Sequence, residues 1–295
     1  MADNNFADYI LKGKTKDSSL REPSPVFTAG FEGSEDWCGI HDRIIWKYIS
    51  GPANLAEEAH SHDFEEFLIF LGNKPGDPED FDAEIEISLG EEGETHNINT
   101  PSVICLPPGL VHGPLTVKRV GKPIIFAVIY LSPEYTKKPA SIKLSSQSSQ
   151  GTAKYGKYVL KEPKGDPRPL DTEEWGVGIN EKILGNALKV NSNFNFLAIL
   201  GSHMLPDPPH DHDCDEFLFL IPANHENWPE LGGEVELALG NEWKKLTIST
   251  AAVVCLPKYL NHCPVYVKKV DKPFYWGHML PVSHYTSSKY SGEAL

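Results

Sequence analysis

An all-β chain of two tandem domains is the fold class that this sequence predicts, and three observations predict it. A stretch rich in histidine and acid occurs twice, as His60-Ser61-His62-Asp63-Phe64-Glu65-Glu66 and as His210-Asp211-His212-Asp213-Cys214-Asp215-Glu216. Pro107 and His112 follow the first copy and Pro257 and His262 the second, every matched pair 150 positions apart. Such constancy at ligand-type positions marks a duplication of the whole half. Apolar and polar residues alternate in Glu84 to Leu89 and in Glu234 to Leu239, the pattern of a strand with one face in a core. Helical periodicity is hard to find anywhere.

Taken in order, the elements repeat. Phe6 to Lys12 corresponds to Tyr155 to Lys161, and each is read as a strand or extended arm that begins its own domain. Gly13 to Gly39 and Glu162 to Gly178, rich in Pro, Gly and charge, are read as long irregular connections with room for a short edge strand. Strand signals start at Ile44 to Ile49 and Phe194 to Leu200. The apolar runs Phe67 to Leu71 and Phe217 to Leu220 read as buried strands. Asn73 to Asp82 and Pro222 to Gly233 carry the prolines, acids and glycines of surface loops. Each half closes with a Val- and Lys-rich strand, a turn at Lys122-Pro123 or Lys272-Pro273, and a last strand, Ile124 to Leu131 or Phe274 to Leu280. The polar stretch 137–152 suits a linker, giving an N-terminal domain at 1–136 and a C-terminal domain at 153–295. Trp46 and Phe196 are assigned to the core.

The 295 residues suffice for two cores, and 41 acidic against 27 basic residues, a formal charge of −14, argue against nucleic acid or an anionic membrane as partner. Five cysteines, Cys38, Cys105, Cys214, Cys255 and Cys263, form no regular framework, which fits a reducing compartment. Cys105 and Cys255 lie in apolar runs and read as core residues; Cys214 and Cys263 flank the second motif and read as packing beside it. The N-terminus lacks the features of a signal peptide, and Ile124 to Leu131 is too short to span a bilayer. A cytoplasmic protein, a monomer or homodimer, is the expectation.

The chemistry lies in the repeated side chains. Three imidazoles and one carboxylate form a donor set suited to Mn, Fe, Co, Ni, Cu or Zn rather than to Ca or Mg. Four protein ligands leave open positions on an ion that accepts six, so such a site can bind a substrate. On a strand His60 and His62 share a face, as do His210 and His212. The carboxylate then returns on the neighbouring strand, and a turn, Pro107-Pro108-Gly109 in the first half, aims the last histidine at the same place. The acids Asp63, Glu65, Asp211, Asp213 and Asp215 read as solvated turn residues. His278 and His284 have no histidine at the matching Val128 and Glu134, and His278 reads either as a satisfied core histidine or as a lining residue of the second cavity.

These motifs resemble those of the cupin superfamily: His-x-His and a glutamate a few residues on, then Pro-x-Gly-x-x-His. The N-terminal copy has both; the C-terminal copy has Tyr259 for the glycine. The resemblance covers both halves and identifies a bicupin, which implies two antiparallel double-stranded β-helix barrels of jelly-roll type. It also implies one divalent transition metal, Fe or Mn before Zn, Ni, Co or Cu, on His60, His62, Glu66 and His112, and another on His210, His212, Glu216 and His262. Of the oxalate decarboxylase and quercetinase groups, the first carries an arginine three residues before the first histidine; Glu57 and Asp207 stand there. The second spaces the carboxylate one residue further. Fold alone does not choose the activity. The expectation is a metal-dependent enzyme of dioxygenase, isomerase or decarboxylase type acting on a small oxygenated molecule, with Glu66 or Glu216 as general base. The alternative is a metal- and ligand-binding bicupin without turnover.

Overall fold

Strands that are apolar at nearly every position form where a sheet is covered on both faces, and this chain is organised around several of them. The computed structural model describes residues 6–12, 14–15, 26–31, 42–142, 154–162, 176–179, 184 and 188–289. Cys38, residues 1–5 and the whole 143–153 stretch lie outside these, as do most of the two irregular connections.

The strands of the N-terminal half and its flanks are β1 (Ile10–Lys12), β2 (Lys14–Thr15), β3 (Val26–Phe31), β4 (Arg43–Ile49), β5 (Ala53–Ala56), β6 (His60–Ser61), β7 (Glu66–Gly72), β8 (Ala83–Leu89), β9 (Glu94–Ile98), β10 (Ser102–Leu106), β11 (His112–Val120), β12 (Ile124–Tyr130) and β13 (Lys138–Pro139). There follow β14 (Val159–Lys161), β15 (Gly176–Ile179), β16 (Asn193–Ile199), β17 (His203–Met204), β18 (His210–Asp211), β19 (Glu216–Pro222), β20 (Glu230–Leu239), β21 (Lys244–Thr250), β22 (Ala252–Leu256), β23 (His262–Val270), β24 (Phe274–Leu280) and β25 (Ser288–Lys289). Helix among the described residues is confined to short turns, and no helix is long and apolar enough to cross a membrane.

Each half is a barrel of two antiparallel sheets. In the first, β14-β10-β7-β12-β4-β3-β2 faces β13-β6-β11-β8-β9, with β5 beside β11; in the second, β1-β22-β19-β24-β16-β15 faces β21-β20-β23-β18-β25, with β17 beside β23. Every residue of β7, β12 and β19, and all of β24 but His278, is buried. The reason is alternation. Leu68, Phe70, Phe126 and Val128 point into the first barrel, while Phe67, Ile69, Leu71, Ala127 and Ile129 join Trp46, Phe194, Phe196, Phe217 and Phe219 in a core between the halves. Two hydrogen bonds cross that core reciprocally: Tyr48 Oη donates to the Pro222 carbonyl at 2.7 Å and Tyr275 Oη to the Gly72 carbonyl at 2.9 Å. Gly72 and Pro222 are repeat partners, so the contact is pseudo-symmetric although the two tyrosines sit on different strands.

Three expectations are corrected. The short arms do not begin their own barrels: β1 pairs with β22 of the C-terminal half and β14 with β10 of the N-terminal half. Phe6 fills the second barrel's core, and Tyr155, Tyr158 and Val159 pack on the first. A three-residue apolar arm pairs with whichever sheet edge it reaches, and here that edge belongs to the other half. The stretch assigned to the linker begins with β13, whose Lys138 and Pro139 pair with Ser61 and His60. The second surface loop is shorter than expected, because β20 starts at Glu230 and absorbs Gly232 and Gly233 in a register shift.

Candidate metal centres

Register brings the donors together. His112 opens β11 directly opposite His60 on β6, and His262 opens β23 opposite His210 on β18. Glu66 and Glu216 are the first residues of β7 and β19, so alternation points them into the barrels with Leu68 and Leu218. The turn before the last histidine requires a left-handed residue: Gly109 has φ 80° and donates its N–H to the His62 carbonyl at 2.8 Å. Tyr259, in the same place, adopts φ 64° and makes the same bond to His212 at 2.7 Å. The missing glycine therefore leaves the second turn intact.

The donor atoms of His210, His212, Glu216 and His262 all lie within 4.8 Å of one another, as do those of His60, His62 and His112. Glu66 joins the first set through Oε2, 3.4 Å from His62 Nε2 and 3.1 Å from His112 Nε2. In the second, Glu216 Oε2 is 3.4 Å from His212 Nε2 and 2.9 Å from His262 Nε2. All these side chains are buried.

Backbone carbonyls set the tautomers. His60, His62 and His112 place Nδ1 at 2.9, 2.6 and 2.9 Å from the carbonyls of Glu58, Thr136 and Leu110. His210, His212 and His262 do the same at 2.6, 2.6 and 2.8 Å from Pro208, Thr286 and Leu260. A carbonyl only accepts, so each Nδ1 carries hydrogen and each Nε2 turns a lone pair inward. Lone pairs then face carboxylate lone pairs across about 3 Å, and the Nε2 atoms of His62, His112, His212 and His262 and the Oε2 atoms of Glu66 and Glu216 are buried without a hydrogen-bond partner. Acceptors facing acceptors call for a cation between them. The donor set, three nitrogens and one oxygen, fits a divalent transition metal.

Protonation follows the same geometry. Burial works against the Glu66 carboxylate, but with a proton in place of a metal between Nε2 and Oε2, His112 and His62 outweigh it and hold its pKa down at about 2. Glu216 is likewise driven well below the ordinary value against its burial, by His212, His262 and His278. Burial opposes the charged form of His62 and His212, yet the adjacent glutamates raise both; His60 and His210 are lowered, chiefly by burial. The carboxylates are therefore ionised at neutral pH and ready to ligate.

The two centres differ in their surroundings. The first opens into a cavity of about 250 Å³, the second into one of about 30 Å³. Repeat partners account for the loss of space: Ala56, Gly113, Phe126 and Val128 beside the first become Pro206, Cys263, Trp276 and His278 beside the second. Of the two readings of His278 the structure has the lining one, with Nδ1 3.4 Å from Glu216 Oε1. Lys47 and Thr28, paired across β4 and β3, line the first cavity, where the second half has Leu197 paired with Gly176. Cys263 lines the second cavity; burial pushes the Cys214 thiol up to about 11. Cys105 and Cys255 are fully buried strand residues. His284 is exposed.

One assignment among the acids is corrected. Glu65 is buried rather than solvated and accepts the Asn191 backbone N–H at 2.9 Å and its side-chain N–H at 3.3 Å, across the contact between halves. Asp63 is exposed and pairs with Lys138 at 2.6 Å. A pair of residues was missed altogether. Tyr135 and Tyr285 place their hydroxyls 3.5 and 3.4 Å from Nε2 of His60 and His210. Their separation of 150 positions was the available signal. Burial, then the charge of Glu66, raises Tyr135 to about 12, so its hydroxyl keeps its proton.

Two barrels of this topology, each with an inward-facing His-rich donor set, define the bicupin fold. Solved structures with this architecture include oxalate decarboxylases. That of Lactobacillus farciminis, as its formate complex, superposes with a TM-score of 0.61 at 11% identity over 95% of this chain and 88% of that one. A Bacillus subtilis oxalate decarboxylase variant superposes at 0.63, with 10% identity over 95% and 79%. A further structure of the Bacillus subtilis enzyme, from work on its Mn(II) centres, gives 0.62 at 10% identity over 95% and 78%. No family model and no curated protein matches the sequence.

Proposed function

We propose that the chain is a metal-dependent enzyme whose N-terminal centre works on a small oxygenated organic molecule, while its C-terminal centre holds a metal for structural ends. The observation that carries this reading is the pair of cavities behind matched donors. At about 30 Å³ per water, the first has room for roughly eight and the second, at about 30 Å³, for one. His60, His62, Glu66 and His112 would hold an Fe or Mn ion there, which would supply the Lewis acidity that lowers the pKa of substrate oxygens.

The chain's own residues do the rest. Apolar walls at Leu55, Leu68, Ile87, Leu115 and Phe126 exclude water and seat the substrate carbon. Lys47 and Thr28 supply the polar wall. Glu66, with Val128 rather than a histidine behind it, is the general base that takes a proton from the bound substrate. Glu216 is unsuited to that role, since His278 holds its second oxygen. Glu57, at the position of the oxalate decarboxylases' arginine, is exposed and does not line the cavity, which favours a substrate other than oxalate. Its reaction is an oxygenation, isomerisation or decarboxylation.

Elemental analysis of protein purified without added metal, followed by turnover screens on enediols, phenols and keto acids with and without oxygen, tests the reading. Fe or Mn near two per chain with oxygen-dependent turnover identifies a dioxygenase, and turnover without oxygen an isomerase or decarboxylase. Tight binding of a screened compound with no turnover would replace the enzyme by a metal-dependent binding protein.

A further inference from the structure

The chain leaving β12 doubles back over the N-terminal centre and is pinned there at several points. The Thr136 carbonyl accepts from His62 Nδ1 at 2.6 Å, Lys138 and Pro139 pair with Ser61 and His60, and Lys138 Nζ meets Asp63 at 2.6 Å. Tyr135 lies within this strap, its ring 5.0 Å from that of His62 and 5.3 Å from that of Tyr130. Its hydroxyl stands 3.5 Å from His60 Nε2. Because His60 Nδ1 is the donor to the Glu58 carbonyl, Nε2 is an acceptor and the phenol is the donor.

An ion at the centre takes up the Nε2 lone pair. The hydroxyl then has to find another acceptor, and it borders the 250 Å³ cavity on the side of the donor set. We propose that the Tyr135 hydroxyl is a catalytic hydrogen-bond donor to the ligand oxygen held at the N-terminal centre. This rests on the reading of that centre as the working one.

The second half carries the same arrangement. Tyr285 is pinned in the same way, by the Thr286 carbonyl on His212 Nδ1 at 2.6 Å and by Ser288 and Lys289 on Asp211 and His210, with its hydroxyl 3.4 Å from His210 Nε2. The neighbours have diverged, Glu134 to His284 and Lys137 to Ser287, yet the tyrosine and threonine are unchanged. Packing alone asks only for a ring, and a phenylalanine supplies one. The retained hydroxyl points to the polar atom beside it, the centre itself; in the second half the room left allows it a single water.

The test is Tyr135→Phe in the full chain, which keeps the ring and deletes only the donor. Wild type and variant are loaded with Mn(II), metal content is measured, and each is titrated with 4-nitrocatechol, a bidentate ligand whose visible spectrum reports on its oxygens. The expected result is unchanged metal content, binding about tenfold weaker in the variant, equivalent to about 1.4 kcal/mol, and a moved visible band for the bound probe. Equal affinity and an identical spectrum would overturn the proposal and leave the proposed function standing. Loss of the metal from the variant would also overturn it, assigning the hydroxyl to the integrity of the centre. If loaded wild type binds no 4-nitrocatechol, both readings fail.

Discussion

Replacing each glutamate by glutamine separates the two centres. In the first, His112 and His62 hold the Glu66 carboxyl at about 2 against an ordinary 4.5. At 1.36 kcal/mol per tenfold change in proton affinity, that is about 3 kcal/mol of stability for the metal-free protein. The group is depressed, so this stability is present above pH 4.5 and disappears as pH falls toward 2. Glu66→Gln has no carboxylate to lose. Urea denaturation of chelator-treated protein therefore shows wild type ahead by about 3 kcal/mol at pH 7, with the gap narrowing below pH 4.5. Glu216→Gln destabilises in the same direction. Turnover is where they part: Glu66→Gln abolishes it, whereas Glu216→Gln lowers metal stoichiometry and leaves turnover in place. A wild type no more stable than Glu66→Gln at pH 7 would refute the electrostatic reasoning. Turnover lost in Glu216→Gln and kept in Glu66→Gln would refute the division of labour.

Three further outcomes are expected. Lys47→Met weakens pyruvate binding relative to neutral hydroxyacetone by roughly tenfold, because a hydrogen bond to a charged group is worth about 1.5–3 kcal/mol; calorimetric titration of the metal-loaded protein checks it, and an unchanged ratio removes Lys47 from recognition. Phe6→Ala costs about 3–5 kcal/mol and acts on the C-terminal barrel, so hydrogen exchange should quicken in β20 and β22 more than in β8; the reverse ranking contradicts the exchanged arm. Burial, and then the charge of Asp215, raise Asp42 from 3.8 to about 7. A raised carboxyl stabilises below its unfolded value and loses that contribution as pH climbs to 7. Asp42→Asn is then more stable than wild type at pH 8, by at most about 4 kcal/mol at 1.36 kcal/mol per tenfold change in proton affinity; chemical denaturation showing no difference at pH 8 counts against the buried acid.

The donor set was legible because strand geometry turns spacing into direction: His60 and His62 differ by two, and Glu66 opens an apolar run. A one-residue slip would have sent each to the opposite face. The doubly buried strands were equally plain, since Phe67 to Leu71 leaves no polar face. Exchange of the arms was not, because Ile10-Leu11-Lys12 and Val159-Leu160-Lys161 satisfy either sheet edge and the choice depends on how the halves pack. Glu65 looked like its solvated neighbours until Asn191, 126 positions away, met it. Tyr135, at 42% exposure, carried no burial signal of its own. The unequal cavities were half visible: Val128 against His278 could be read as an added histidine, but Trp276 for Phe126 registers only when both are seen on one wall.

Duplication followed by unequal walls raises the question of why the second donor set persists. A substrate site needs volume and a metal site needs only its ligands, so selection on catalysis alone would let His210, His212, Glu216 and His262 drift once Trp276 and Pro206 had closed the space. Their retention fits a separate use. An ion there joins β18, β19 and β23, and of these β18 is otherwise held to β23 only through the single pair His210 and His262. Structural metal binding contributes its free energy directly to folding. Because β1 and β14 are exchanged and the halves share one core, stability gained in the second barrel reaches the first. Removing the C-terminal ion, in Glu216→Gln or by slow chelation, should therefore quicken hydrogen exchange in β10 and β14, which belong to the sheet of the other barrel. Protection unchanged in those strands would confine the metal's effect to its own barrel.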